Sequence, residues 1–115
     1  MKTEEQPTEY YSAVVIFASD SPAADYEPLY EEVVVLISAE SEEQATEKAI
    51  SYGKSHEHSY QNCYGETISV SFKRLVAVKE LLDELKDFDK GVEVHYRYFD
   101  DYTVYETFEP VRQTL

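Results

Sequence analysis

The sequence predicts an α+β domain, and three observations lead to this class. Several segments are rich in β-branched and aromatic residues, as strands are. One segment has helical periodicity with small residues on one face. The order of the elements does not repeat the strand–helix alternation of a doubly wound parallel sheet. We therefore expect a mainly antiparallel four- to five-stranded sheet with one principal helix packed on one face.

The first two strands are predicted from runs of apolar, β-branched and aromatic residues. The first covers residues 10–18, and the prolines and aspartates of residues 19–28 predict a loop after it. The second strand, residues 30–39, contains the uninterrupted apolar run from Val33 to Ile37. Such a run is typical of a central strand that is covered on both faces, so we expect a central position for this strand.

The principal helix is predicted over residues 42–55, approximately. Ser41 precedes it and Gln44 follows three residues later, which is the pattern of a capping box. One face of this helix carries mostly small residues, namely Ala45, Ala49, Tyr52 and Gly53. Small residues on one face predict close packing of the helix on the sheet. A turn is expected over residues 62–65.

The third strand and a second short helix are predicted in the middle of the chain. Residues 66–79 alternate between apolar and polar positions until the alternation blurs near Lys73 and Arg74, which predicts a bulge or bend there. Residues of about 80–88 have Leu81 and Leu85 at helical spacing, followed by Phe88. These residues predict the second short helix.

The C-terminal part of the chain predicts one or two further strands. Residues 92–99 alternate with a period of two, and residues 102–108 are a weaker candidate for a fifth strand. The domain boundaries follow from composition: a flexible N-terminal arm at 1–9, a single α+β domain at 10–110, and a loose C-terminus at 111–115.

Acidic residues dominate the charge of this chain. Its 115 residues include 24 acidic and 10 basic ones, a formal net charge of −14. From Thr3 to Glu47 there are twelve acidic residues and no Lys or Arg, and a second acidic stretch lies between Arg97 and Arg112. Phosphates would repel this surface, so neither nucleic acid nor an anionic membrane is an expected partner. We expect a basic protein partner, against the alternative of a solvated surface that only keeps the protein soluble.

The compartment is predicted from cysteine usage and hydropathy. A single cysteine, Cys63, excludes an intrachain disulfide and fits a reducing environment. No apolar run approaches the roughly 20 residues of a membrane helix, and the first residues lack the apolar stretch of a signal peptide. We expect a cytoplasmic protein in which Cys63 is buried or half-buried.

The sequence offers few groups that could act together in catalysis. His56 and His58 with Cys63 resemble zinc ligands, but two histidines two residues apart on a helix point to different sides. His95 and Arg97 alternate on one predicted strand face, which is more typical of cross-strand ion pairs in solvent. The acidic residues crowd in adjacent pairs, and no Gly-rich phosphate loop is present. We predict no catalytic residue, no cofactor and no metal.

Tyrosine is the other unusual feature, with eleven tyrosines and no tryptophan. Tyrosines combine a large rigid surface with a polar tip and are enriched at interfaces. We expect Tyr11, Tyr52, Tyr96 and Tyr98 to fill the core. Tyrosines interleaved with acidic residues predict partner-binding surfaces for Lys- and Arg-rich targets. The predicted partner-binding residues are Asp20, Asp25, Tyr26, Glu27, Glu31, Asp100, Asp101, Tyr102, Tyr105 and Glu106.

Short motifs spread over most of the chain carry a family resemblance. They are Tyr10-Tyr11-Ser12-Ala13, Tyr30-Glu31-Glu32, Ala39-Glu40-Ser41 with Ala45 and Ala49, Tyr64-Gly65-Glu66-Thr67, and Val92-Glu93-Val94 with Arg97 and Phe99. From Tyr10 to Phe99 the chain resembles the small uncharacterised bacterial family catalogued as domain of unknown function 4288. The resemblance implies a small bacterial protein, supplies no catalytic residues, and points toward the immunity partners of secreted toxins.

Four functional hypotheses follow. The first is a non-enzymatic immunity protein that neutralises a cognate bacterial toxin by binding a basic surface or active-site cleft. The second is a nucleic-acid mimic that inhibits a DNA- or RNA-acting enzyme, which requires carboxylates spaced along one exposed face. The third is a small enzyme of unknown reaction, with a pocket around His95, Arg97 or Cys63. The fourth is a domain that self-associates through an open sheet edge. The sequence does not predict the oligomeric state.

Overall fold

The computed structural model describes residues 9–82 and 88–107. They form an antiparallel sheet with one principal helix and one short helix, which confirms the α+β class. In chain order the elements are β1 (Glu9–Asp20), β2 (Leu29–Ala39), α1 (Glu42–Ser55), β3 (His58–Gln61), β4 (Thr67–Glu80) and α2 (Tyr102–Thr107). The strands are ordered β2-β1-β4-β3 across the sheet.

The central position in the sheet belongs to β1 rather than to β2. β1 pairs along most of its length with both β2 and β4, and Ala13 and Val15 are fully buried. β2 lies at one edge, where Val34 and Leu36 remain 44% and 48% exposed. The prediction of a central β2 was therefore wrong. An apolar run shows that a strand can be buried on both faces, but the pairing of the whole chain decides which strand is central.

The helix α1 begins and ends where the sequence predicts. The Ser41 side chain accepts a hydrogen bond from the Gln44 backbone N–H at 3.1 Å, as an N-cap should. The Gln44 side-chain oxygen accepts from the backbone N–H of Glu40 at 2.8 Å, one residue earlier than in a standard capping box. The first contact satisfies a backbone donor that the first helical turn leaves unpaired, and the second pairs the backbone N–H of the residue just before the N-cap.

The small-residue face of α1 packs on the sheet. Ala45, Ala49 and Gly53 on this face are buried between the helix and the sheet. The core cluster they join also contains Tyr11, Ala13, Ile37 and Ala39, with Val35, Leu75 and Val78 packed against it. A Cβ atom placed on Gly53 would lie 2.4 Å from Cδ1 of Phe72. Only glycine permits this approach of helix and sheet.

The strand β4 is irregular where the sequence loses its alternation. Its register against β1 shifts twice, between Val14 and Val15 and again between Ile16 and Phe17. The second shift leaves Lys73 as the extra residue between the paired positions of Phe72 and Arg74, which confirms the predicted bulge. β4 therefore keeps apolar residues on the helix side of the sheet on both sides of the irregularity.

A hairpin joins β3 to β4 through the predicted turn at 62–65. The Asn62 side-chain oxygen accepts hydrogen bonds from the backbone N–H groups of Tyr64 and Glu66, both at 2.9 Å. Gly65 has φ +77°, a conformation that L side chains rarely adopt. The strand β3 itself was not predicted, because its four residues are polar and fully on the surface.

The C-terminal part departs from the predicted strands. Residues 92–99 are irregular, and 102–107 form α2 instead of a fifth strand. The carboxylate of Asp101 accepts the Val104 backbone N–H at 3.2 Å, which caps α2 at its first turn. Alternation makes a strand only when another strand is available, and the segment around Tyr96 instead contacts the Lys79 side chain on β4.

The predicted second helix of about 80–88 can be tested only at its ends. Glu80 still belongs to β4, and the Leu81 backbone N–H donates to the Tyr10 carbonyl at 2.8 Å, so the chain there is extended. Residues 83–87 lie outside the described residues. So do residues 1–8 and 108–115, on which most of the predicted terminal segments fall.

Neither helix in the described ranges has the length and apolar composition that crossing a membrane requires.

Candidate functional site

The described residues form a groove on the helix side of the sheet, with a volume of about 510 Å³. All four strands contribute to it. The lining residues are Phe17 and Ser19 from β1, Leu29, Tyr30 and Glu31 from β2, His58 and Tyr60 from β3, and Val70 from β4. We call this feature the four-strand groove.

The groove exists because α1 covers only part of the sheet. The helix ends at Ser55, and its last buried residue, Gly53, lies against the ring of Phe72. Phe72 in turn meets Phe17 edge to face, with ring centroids 6.3 Å apart. These two rings separate the packed core beneath α1 from the open groove beyond it.

The loop between β1 and β2 is tied to the rim of the groove. The Ser19 hydroxyl donates to the Leu29 carbonyl at 3.2 Å and lies 2.9 Å from the Tyr26 hydroxyl. Because a serine hydroxyl has one proton, Tyr26 is the donor to Ser19 when both bonds form. The backbone N–H of Ser21 donates to the Asp20 carboxylate at 2.8 Å. These bonds hold the loop beside the groove.

The charge at the groove is acidic and accessible. Glu31 is exposed and lines the groove, while Asp25 and Glu27 are exposed on the loop. The Lys73 ammonium lies 5.8 Å from the centroid of the Tyr30 ring, so an aromatic ring at the groove already contacts a cation. Exposed carboxylates beside aromatic rings form a surface that suits lysine and arginine side chains.

The perturbed titratable groups lie at the opposite end of β1. Burial raises the pKa of the Tyr11 hydroxyl, and its hydrogen bond to the Glu9 carboxylate at 3.2 Å raises it further. A hydrogen bond with Glu9, repulsion from the Glu9 charge and burial raise the pKa of Glu80 above its ordinary value of 4.5. The charge of Glu42 in the first turn of α1 also acts on Tyr11, and Glu9, Tyr11 and Glu80 line no part of the four-strand groove.

Half of the predicted partner-binding residues lie around the groove. Glu31 lines it, and Asp25 and Glu27 are exposed on the adjoining loop. Asp20 is the last residue of β1, where its carboxylate accepts the Ser21 backbone N–H, and Tyr26 is half-buried in the loop, where its hydroxyl bonds to Ser19.

The other predicted residues belong to the C-terminal region. Asp101 caps α2, and Asp100, Tyr102 and Glu106 are exposed. Tyr105 lies in α2. Asp100, Asp101, Tyr102 and Glu106 do not line the four-strand groove.

The candidate zinc ligands serve the local structure. The His56 ring stacks on Tyr52 at 3.9 Å, and His58 Nδ1 lies 2.9 Å from the His56 carbonyl oxygen. Cys63 is exposed at the hairpin, so the prediction of a buried or half-buried cysteine was wrong. It lies in a turn whose hydrogen bonds come from Asn62, so its side chain is not needed for packing. In residues 9–82 and 88–107, no three metal-binding side chains are grouped to hold an ion.

The predicted row of Glu93, His95 and Arg97 does not lie on a strand. His95 is half-buried, and its Nδ1 atom is buried with no hydrogen-bond partner among the described residues. The cavity beside it holds only about 10 Å³, so there is room for no more than a water molecule. The Lys79 ammonium lies 4.2 Å from the Tyr96 ring centroid and donates to the Tyr96 carbonyl.

The exposure of the tyrosines agrees with the prediction at two positions and differs from it at two others. Tyr11 is buried and Tyr52 is half-buried, as expected. Tyr96 and Tyr98 are 37% and 92% exposed, so the prediction that they fill the core was wrong. Without a strand at 92–99, the alternating side chains of this segment have no sheet face against which to pack.

Sequence reasoning missed most of the groove lining. Phe17 and Ser19 share the helix-side face of β1 by simple alternation, and this signal was available. His58 and Tyr60 alternate just before the Asn62 turn, which is a weak hairpin signal. That these residues meet Leu29 depends on the strand order, which no local pattern contains.

Comparison with known proteins gives one positive result. No curated protein and no solved structure matches the chain. A family model described as a domain of unknown function (DUF4288) matches residues 10–96, which is most of the chain and includes all four strands and α1. The chain therefore belongs to the DUF4288 family.

Proposed function

We propose that this chain is a non-enzymatic binding domain that takes a basic protein partner at the four-strand groove, and that it acts as an immunity protein for a cognate bacterial toxin. The observation that carries the proposal is the groove itself. It combines accessible apolar surface, from Leu29 and Tyr60, with the exposed carboxylate of Glu31.

The apolar part of the groove provides contact area. Leu29 is 70% exposed and Tyr60 is 49% exposed, whereas the ring of Phe17 beneath them is 5% exposed. A partner side chain that enters the groove would cover these groups, and exposed apolar surface of this kind is typical of interaction sites. A tyrosine side chain loses little conformational entropy on binding because its ring is rigid.

The acidic part selects the partner. Asp25, Glu27 and Glu31 face solvent around one end of the sheet, and the first 47 residues contain no basic residue except Lys2. Long-range electrostatic attraction from these carboxylates raises the rate of association with a basic surface. This attraction weakens as the ionic strength rises. An inhibitor of a fast-acting toxin needs rapid association, so the charge pattern supports the immunity role.

The spread of the acidic residues favours a protein partner over nucleic-acid mimicry. Glu31 and Glu32 are neighbours on β2 and therefore point to opposite faces of the sheet. Glu43 and Glu47 lie on α1, and Glu66 lies at the hairpin. A mimic requires carboxylates in a row along one face, whereas here they surround the domain.

The test compares two triple variants in a pull-down from the source cells. The groove variant is D25N/E27Q/E31Q, and the matched control is E40Q/E43Q/E47Q, whose residues are also exposed but lie at or on α1. Both variants lose three charges, so a simple net-charge effect would weaken them equally. We expect the wild type and the control to retain a basic protein that elutes with rising salt, and the groove variant to lose it.

The immunity role is tested by co-expression with the protein encoded beside this gene. We expect the wild type and the control triple variant to restore growth, and the groove variant to fail. Equal protection by both triple variants would contradict binding at the groove, and absence of protection by the wild type would contradict the immunity role.

A further inference from the structure

The edge of β2 carries a second surface that the groove does not explain. Val34 and Leu36 project from the face of the sheet that points away from α1, and they are 44% and 48% exposed. The composition of β2 from Val33 to Ile37 is typical of a strand covered on both faces, yet within residues 9–82 and 88–107 β1 is the only strand that pairs with β2.

The hydrogen bonds show which backbone groups of β2 face outward. The Tyr10 carbonyl accepts from the Leu81 backbone N–H, so Tyr10 bonds toward β4 and away from its partner on β2, Ser38. The Ser38 carbonyl accordingly accepts from the Lys48 ammonium of α1 at 2.7 Å. Because outward and inward groups alternate along an antiparallel strand, Tyr30, Glu32, Val34 and Leu36 also point their N–H and C=O groups outward.

This edge lacks most of the features that normally protect an edge strand. Proteins protect such edges with prolines, bulges or charged side chains, above all lysines, in the strand. β2 contains no proline and no lysine from Leu29 to Ala39, its pairing with β1 has no register shift, and its charged residues, Glu31 and Glu32, lie near one end. Lys48 occupies only the carbonyl of Ser38, at one end. The stretch from Tyr30 to Leu36 is therefore able to pair with another strand.

We propose that the β2 edge binds an extended segment of a basic partner protein, which adds to the sheet as a further strand. Glu31 and Glu32 lie on opposite faces of β2, so lysine or arginine side chains that alternate along an added strand would meet a carboxylate on either face. Val34 and Leu36 would be covered by apolar residues of the same segment.

Charge decides between a partner protein and a second copy of this chain. A second copy would bring another −14 charge to an edge that already carries Glu31, Glu32 and the adjoining Glu40. A basic segment would neutralise those charges instead. The basic character of the segment rests on the proposed function, whereas the strand pairing rests on the exposed β2 edge alone.

The test uses a short synthetic peptide, capped at both ends, with valine and threonine in its centre and lysine at its ends. Two N-methylated forms remove the amide hydrogens along one edge or the other of the peptide. Strand pairing requires only one of these edges, so we expect one form to bind as the parent peptide does and the other to lose at least about tenfold in affinity. Equal affinities of the two forms would overturn strand pairing.

Hydrogen exchange locates the contact on the protein. On peptide binding, the amides of Tyr30, Glu32, Val34 and Leu36 should exchange more slowly, while those of Val33 and Val35 already bond to β1 and should not change. No protection at the first four positions, or no binding of the parent peptide, would overturn the proposal. Protection that appears in the protein alone and rises with its concentration would instead identify a second copy as the occupant, and would also overturn it.

A matched pair of variants separates the edge from the net charge. Val34 lies on β2, and Val76 lies on β4 at the register shift opposite Val14 and Val15; both are 44% exposed. V34K places a charge in the middle of the free edge and should lower peptide affinity about tenfold, whereas V76K should leave it unchanged. Equal effects of the two variants would contradict the proposal. V34K changes no residue that lines the four-strand groove, and peptide binding is measured without the partner from the source cells, so failure of the edge proposal is distinguishable from failure of the groove proposal.

Discussion

The helix side of the sheet has two halves, built from the same strands, that differ in what covers them. In the half beneath α1, small side chains such as Ala45 and Ala49 let the helix lie close to the strands, and the core there is closed. The other half lies beyond the end of α1, where Leu29 and Tyr60 are exposed around the four-strand groove.

The two halves differ in whether their apolar residues stabilise the fold or remain available to bind a partner. Apolar residues that the helix covers contribute to stability when the chain folds. Apolar residues beyond Phe72 contribute little at that stage, and they release the same kind of free energy only when a partner covers them. The two halves should therefore respond in opposite ways to substitution, and the following predictions test this.

The largest expected difference is between Ile37 and Leu29, which share the helix-side face of β2. Ile37 is 8% exposed in the core cluster, whereas Leu29 is 70% exposed at the groove. We expect Ile37→Ala to lower the free energy of unfolding by about 2–5 kcal/mol, because it leaves a cavity. Leu29→Ala should change it by less than about 0.5 kcal/mol. Urea unfolding measures both, and similar losses would contradict the division into two halves.

Gly53→Ala tests the boundary between the halves. A Cβ atom there would lie 2.4 Å from the Phe72 ring, so the ring must move and the packing is strained. Overpacking costs about 1–3 kcal/mol, against a helix-propensity gain of about 1 kcal/mol, so we expect a net loss of stability in thermal unfolding. The control Ser51→Ala is on the exposed face of α1 and should be neutral or slightly stabilising. A gain in stability for both variants would mean that the Phe72 ring moves at little cost.

Tyr26→Phe tests how firmly the acidic loop is held at the open half. The substitution removes only the hydroxyl that bonds to Ser19, so we expect a loss of about 0.5–1.5 kcal/mol and faster hydrogen exchange in residues 20–28. Tyr64→Phe is the control, since the Tyr64 side chain is 83% exposed at the hairpin. Unchanged exchange in the loop would show that other contacts hold it in place.

Glu80→Gln tests the titrating pair at the covered end. The pKa of Glu80 is raised in the folded protein, so the native state binds more protons than the unfolded state between the ordinary value of 4.5 and the raised one. Stability contributed by this group is therefore highest below that window and is lost as the pH rises through it. We expect Glu80→Gln to raise the melting temperature at neutral pH and to have a smaller effect at pH 4. A gain that is independent of pH would contradict the shared proton with Glu9.

Local sequence patterns predicted much of this fold correctly. The cap at Ser41, the small face of α1, and the bulge at Lys73 each depend on residues close in sequence, and each is confirmed. The same reasoning failed at residues 92–99, where a period of two is present but the structure has no strand. Periodicity reports which side chains could share a face, and it does not report whether a neighbouring strand exists.

The candidate site was only partly predictable for the same reason. Asp25, Glu27 and Glu31 were identified from their charge and from the absence of nearby basic residues. The groove they adjoin requires β4 to pair with β1, which brings the β3–β4 hairpin and β2 into one sheet, and this pairing is not local in sequence. Tyr60 could not be placed in a site before the hairpin that carries it was known.

The sequence by itself determined the fold class, the position of α1, the charge of −14 and the uneven placement of that charge. These properties depend on residue types and on short-range periodicity. Only the tertiary structure decided that β1 is central, that β2 lies at the edge of the sheet that the structure describes, and that α1 covers only half of one sheet face. Strand order is set by long-range pairing and by where a single helix can pack, and both are properties of the whole chain.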